Sequence, residues 1–254
     1  MVSTSQTRTE RTARLCAEVA LFMRDQVLSR VSHDLRSPLN AIHSWAYVLE
    51  RKIDNADAAA QRALGGIRTG VEQQVRLIET LVDTTRAETR KLRIARAPFE
   101  VRALIPEAAD DARIALGDAR GVSFAVEDAT GAAMLDGDRE RIAQALWLML
   151  VFAAETSPQG ASVVLTAGAS ATAAQFAVKW QASPRLLTDE TLAHVLERFA
   201  RAQASEQQEA GRYAWVLALC QRVAEAHGGR FEAPSVLGEG EAVTLALNVP
   251  LNGA

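Results

Sequence analysis

The sequence predicts an α+β protein: a helical hairpin that pairs with a second copy as a four-helix bundle, followed by an α/β sandwich. Three observations carry that expectation. Apolar residues recur at three-and-four spacing through the first third of the chain, with few breakers. Around "KLRIARAPFE" the period changes, and Pro98 punctuates it. Beyond that point, alternating runs are interleaved with helical ones, the pattern of a mixed two-layer domain. The expected domains are 1–93 and 94–254.

In chain order, the first helix is carried by Leu28, Val31, Leu35, Leu39, Ile42, Trp45 and Leu49. "RKIDNADAAAQ" interrupts it, with Asp54, Asn55 and Asp57 offering a turn and an N-cap. Leu64, Ile67, Val71, Val75, Ile78, Leu81 and Val82 form the stripe of a second helix. A short turn folds the two back antiparallel, and a lone hairpin cannot bury both stripes, so a homodimer is expected. Later, "VSFAVE", "SVVLTAGA", "AAQFAVKWQA" and "EAVTLALNVP" read as strands. Helices are expected near 101–117, 138–155, 188–202 and 211–227, the last closed by Gly228 in a left-handed cap.

Hydrophobic residues make up 48% and charged ones 23%, a globular balance. The net charge of −3 gives no broad attraction to nucleic acid or acidic membrane. The N-terminal apolar run is broken by Glu18 and followed by Arg24, so neither a signal peptide nor a membrane span is expected there, and a cytoplasmic location is. Cys16 and Cys220 lie far apart without metal or redox spacing. His43, His194 and His227 show no metal spacing, and Trp147, Trp180 and Trp215 sit on apolar faces as core.

The most informative stretch is "LSRVSHDLRSPLNAIHSWAYVLE", a helical pattern with a proline inside it and a histidine on its polar side. "SHDLRSPLNAI" resembles the H box of two-component sensor histidine kinases, and the likeness continues through "LIETLVDTTRAETRKLRI". The resemblance implies that His33 is the phosphoacceptor and that Asp34 orients its ring or takes its proton. It also implies that Ser37 stands where a water-positioning group acts in phospho-aspartate hydrolysis. The chemistry suits the residues, since neutral imidazole is a nucleophile near pH 7. Pro38 cannot donate to the carbonyl of Asp34, which loosens the turn that carries His33. Ser37, Asn40 and Ser44 follow His33 at roughly one-, two- and three-turn spacing and share its face. With Arg62, Thr69 and Gln73 of the second helix, Asn40 and Ser44 form the expected docking face for a response-regulator receiver domain.

The second half resembles the family's ATP-binding domain in layout but departs from it in chemistry. "DRERIAQALWLMLVFAAETSPQG" matches the N box, yet Leu148 and Phe152 hold the two asparagine positions that serve magnesium and phosphate. "LERFARA" keeps the F box as Glu197, Arg198 and Phe199. The first glycine box reads "ASPRL", which puts Ala182 where an aspartate grips adenine. The second reads "RYAWV", with Arg212, Ala214 and Val216 in place of glycines. Apolar side chains give magnesium no oxygen ligand, and side chains in a phosphate loop block close approach of the backbone. The sequence therefore leads us to expect neither ATP nor magnesium binding, and phosphotransfer between His33 and receiver aspartates. Two alternatives stay open: an ATP-dependent sensor histidine kinase, and a non-catalytic adaptor that binds a receiver or another sensor kinase. Only 32 residues precede His33, too few for a sensor domain, so input is expected either to come through partners or to be absent from this chain.

Overall fold

A computed structural model describes residues 2–53, 57–89, 92–205 and 213–251, with side chains described outside 2–9, 81–89 and 214. The chain divides into two compact units, Arg24–Arg90 and Met1–Met23 with Lys91–Ala254. The units divide between Arg90 and Lys91, where the sequence reading put a boundary at 93/94. The first 23 residues, however, group with the second unit and not with the hairpin. The reason is burial: Leu15, Val19, Phe22 and Met23 are 0–6% exposed, which a helix cannot achieve by itself.

The hairpin unit is built from α1 (Val2–Glu50), which enters it at Arg24, and α2 (Ala58–Thr89). Helix α1 runs unbroken through Pro38. Asp57 caps α2, its Oδ1 accepting from the N–H groups of Ala59 and Ala60 at 3.1 and 2.9 Å. Asp54 and Asn55, also expected in the turn, lie outside the described residues. Leu39 and Ala46 of α1 and Leu64 and Val71 of α2 are buried between the helices. Two ion pairs set the antiparallel register: Arg36 with Glu79 at 3.5 Å and Arg68 with Glu50 at 3.0 Å.

The second unit is a two-layer sandwich. Strands β1 (Ala97–Glu100) and β3 (Met134–Gly137) pair antiparallel as a small ribbon. Strands β2 (Ser123–Ala129), β4 (Ser162–Ala169), β5 (Ala173–Ala182), β6 (Arg230–Glu232) and β7 (Glu241–Pro250) form a sheet of order β2-β4-β5-β7-β6. Only β2 and β4 run parallel. Alternation gives the sheet one apolar face: Val163 and Leu165, Phe176 and Val178, Leu245 and Leu247 are at most 1% exposed.

Helices cover that face. α3 (Val101–Ala112) continues through a π turn at Arg113–Gly117 into the short α4 (Asp118–Arg120), which Gly121 ends at φ 63°. α5 (Arg139–Glu155) is buried on all sides from Ile142 onward, packing on β4 and β5 and between α3 and α8 (Ala218–Ala226). Asp138 caps α5 by accepting from Arg141 N–H at 3.0 Å, and its other oxygen accepts from Ala95 N–H at 2.8 Å. The remaining helices are α6 (Arg198–Ser205) and α7 (Tyr213–Val216). Gly228 takes φ 73°, as expected of a left-handed cap.

The helix expected over 188–202 is not formed as such. A 3-10 turn occupies Pro184–Thr188 and helix resumes only at Arg198. The cause is the buried Glu155 carboxylate, which accepts from the N–H groups of Val195 and Leu196 at 2.8 and 3.0 Å and contacts His194. Those amides are satisfied by a side chain from α5 in place of helical carbonyls.

Candidate functional site

Two places carry the chemistry the sequence points to, one in each unit. In the hairpin, His33 sits on α1 with 79% of its side chain exposed, open to an approaching partner. Its Nδ1 lies 3.2 Å from Asp34 Oδ1, and the other carboxylate oxygen lies 3.3 Å from Arg30 Nε. An ionised carboxylate only accepts, so this contact puts the ring proton on Nδ1 and leaves the Nε2 lone pair facing water. The Asp34 carboxylate thus lies between the His33 ring and the Arg30 guanidinium. Arg30 escaped the sequence reading; its place one turn before Asp34 was the available signal.

Ser37, Asn40 and Ser44 are exposed along α1, and Arg62, Thr69 and Gln73 are exposed along α2. The Ser44 hydroxyl donates to the Asn40 carbonyl at 2.9 Å, which turns it inward to its own helix. The register set by Arg36–Glu79 and Glu50–Arg68 puts Gln73 near the level of Ser44 and displaces Arg62 toward the hairpin turn. The expected docking residues are therefore surface residues spread along the hairpin, with Arg62 at its far end. Val31, Leu35, Ile42, Trp45 and Leu49 are exposed as well, whereas Leu39 of the same expected stripe is buried against α2.

In the sandwich, Leu148 and Phe152 lie on the inner side of α5 and are fully buried, and Ala182, at the end of β5, is 1% exposed. Phe152 stacks on Tyr213 with ring centroids 5.9 Å apart and meets Trp180 edge-on at 6.3 Å. Trp180 Nε1 donates to Thr156 Oγ1 at 2.8 Å. The Tyr213 hydroxyl is buried with no partner among the described residues, and burial pushes its phenol up. The Ala182 carbonyl accepts from Gly240 N–H at 2.7 Å, and Val216 is buried. Arg212 and the side chain of Ala214 lie outside the described residues. Phe199 is exposed.

Of the other histidines, His43 is exposed, and His194 and His227 are held by hydrogen bonds within the sandwich. His227 is buried, its Nδ1–H donating to the Val223 carbonyl at 2.7 Å and its Nε2 accepting from Asp138 N–H at 2.9 Å. No cluster of metal-ligating side chains occurs among the described residues. No described helix is long and apolar enough to cross a membrane.

Comparison with known proteins agrees with this geometry. The family model of the His Kinase A (phospho-acceptor) domain matches residues 23–90. That of the histidine kinase-, DNA gyrase B- and HSP90-like ATPases matches residues 137–251. The crystal structure of a histidine kinase from Burkholderia phymatum is 50% identical with a TM-score of 0.78, the match covering 96% of this chain and 99% of that one. Probable sensor histidine kinase TcrY of Mycobacterium tuberculosis is 28% identical over 90% of this chain and 46% of its own length. Sensor protein DivL of Caulobacter vibrioides is 28% identical over 94% of this chain and 29% of its own. The chain thus spans less than half the length of these two curated relatives.

Proposed function

The chain belongs to the two-component histidine kinase family, and we propose that within it His33 exchanges phosphoryl groups with receiver aspartates without using ATP. The observation that carries this is the contrast between an open His33–Asp34 pair and the aromatic packing of Phe152 on Tyr213 and Trp180. In the transfer, Nε2 of His33 attacks the phosphorus of a receiver phospho-aspartate, the P–N bond forms as the P–O bond breaks, and the aspartate leaves as carboxylate. Asp34 keeps the proton on Nδ1 and offsets the positive charge that develops on the ring. Reversal returns the phosphoryl group to a receiver. Ser37, exposed one turn beyond, would hold a water on this face.

The residues at the expected nucleotide positions do not fit ATP and magnesium. Leu148 and Phe152 supply no oxygen ligand and are core members, so admitting a triphosphate would mean unpacking α5 from its neighbours. The family matches and the names of the relatives favour the second reading, an ATP-dependent sensor histidine kinase. In either reading the protein works as a homodimer in the cytoplasm. Support for the dimer comes from the exposed apolar row Val31, Leu35, Ile42, Trp45 and Leu49, which a second hairpin would cover.

Incubation of the full chain with a receiver carrying labelled phospho-aspartate separates the readings. Label is expected on the parent chain and absent from His33→Gln. Label arriving on His33 from γ-labelled ATP instead establishes the kinase, and no label from either donor leaves the adaptor.

A further inference from the structure

We propose that His194 and Glu155 form a buried proton-binding site, in which a proton on the His194 ring anchors the segment 189–197 to the end of α5. The ring lies between two acceptors. Its Nε2 is 2.9 Å from the Asp189 carbonyl oxygen, and its Nδ1 contacts Glu155 Oε2. A carbonyl oxygen only accepts, so Nε2 carries a hydrogen. Glu155 Oε1 accepts from the N–H groups of Val195 and Leu196 at 2.8 and 3.0 Å, and two such bonds favour the ionised carboxylate. An ionised carboxylate has no hydrogen to give, so Nδ1 carries one as well. A ring with hydrogens on both nitrogens is an imidazolium, and the pair is an ion pair.

The other described histidines do not share this geometry. His227 faces a carbonyl on one side and the Asp138 N–H on the other, so one ring hydrogen satisfies it. His33 meets a carboxylate at Nδ1, and its side chain is 79% exposed. At His194 the side chain is 8% exposed and that of Glu155 is 0% exposed, which keeps water from replacing either contact. Without the extra proton, the Nδ1 lone pair would face a carboxylate oxygen with nothing between them.

The charged groups around the pair come from four elements. From α4, Arg120 donates to the Glu155 carbonyl at 2.7 Å and to the Ala193 carbonyl at 3.3 Å. From α6, Arg201 donates to the carbonyls of Leu187 and Leu196 at 2.6 and 3.3 Å, and Glu190 lies 3.5 Å from it. In the segment itself, the Asp189 carboxylate accepts from the Thr191 hydroxyl and N–H at 2.6 and 3.0 Å. From α1, Cys16 lies near enough that its thiol, raised first by burial, is raised further by the Glu155 charge. The two guanidiniums oppose a positive ring, but their N–H groups are directed at carbonyl oxygens, whereas the Glu155 carboxylate touches the ring. The nearest charge dominates. The segment is not helical and depends on these side chains for its fixed course, so the proton on His194 is one of its anchors.

Folding at this site then takes up a proton that a free imidazole has released above about pH 6.5. Where the folded state binds more protons than the unfolded one, stability falls as pH rises. Glu155→Gln isolates the effect. Its amide oxygen can accept from Val195 and Leu196 while its NH2 donates to Nδ1, so the same contacts form with one proton fewer. Nitrogen NMR of the full chain near pH 7 should show hydrogens on both ring nitrogens of His194 in the parent, and on Nε2 alone in Glu155→Gln. The urea midpoint of the parent should fall relative to that of Glu155→Gln as pH is raised from about 6 to about 9. An Nδ1 without hydrogen in the parent near pH 7, or midpoints that run parallel with pH in the two proteins, would overturn the proposal. Should Glu155→Gln not fold, the ring spectrum of the parent decides alone.

Discussion

The hairpin and the sandwich keep the same family fold and treat their chemical positions in opposite ways. Around His33 the groups are polar, exposed and aimed outward: a ring with a free nitrogen, a carboxylate that sets its tautomer, and a guanidinium behind that. Around Phe152 they are apolar, buried and aimed inward, and they contribute to the stability of α5. The difference teaches that a layout can persist while the groups that perform the chemistry change, because layers depend on volume and patterning, whereas reaction depends on particular atoms.

The largest expected effect removes the proposed nucleophile of the hairpin. His33→Gln should abolish transfer from a phosphorylated receiver while light scattering still reports a dimer, since His33 is exposed and its loss opens no cavity in the hairpin. Residual transfer at the parent rate would move the phosphoacceptor elsewhere.

The reverse experiment restores an asparagine to the sandwich. Phe152→Asn should cost about 3–5 kcal/mol in urea unfolding, because it deletes a buried ring and buries an amide without partners. An unfolding midpoint equal to the parent's, accompanied by new ATP binding, would show that the site was open all along.

Smaller effects belong to the surface. Asn40→Arg and Ser44→Arg should each slow receiver transfer by about 10-fold through lost docking, on the order of 1.4 kcal/mol, with the dimer intact. Transfer unchanged in both would displace the docking face from this part of α1. Arg68→Ala should cost only about 0.5 kcal/mol of thermal stability, because its pair with Glu50 is part-exposed. A loss of several kcal/mol would mean that this pair, more than the packing of Leu39, Ala46, Leu64 and Val71, holds the hairpin together.

Much of this contrast was legible from residues alone. Strands β4, β5 and β7 begin and end where the alternation does, because one face of each is covered and the other is not. Strands β1, β3 and β6 are three or four residues long, too short for a period to register. The segment 188–202 reads as a helix, and what overrides it is Glu155, a buried carboxylate more than thirty residues away that no local pattern reveals. His33 and Asp34 were visible as a motif. Arg30 and the aromatic cluster were not, since Tyr213 and Trp180 reach Phe152 only through the fold. The assignment of residues 10–23 to the sandwich was equally hidden, because periodicity gives a helix a face but not the surface it covers.

The central claim, an open phosphoacceptor and a closed nucleotide site in one chain, is tested most directly by titrating the full chain with ATP and magnesium in a calorimeter. The account predicts no saturable heat up to millimolar nucleotide, since Leu148, Phe152 and Ala182 present neither ligand atoms nor space. Saturable binding in the micromolar range, with label from γ-labelled ATP appearing on His33, would contradict it.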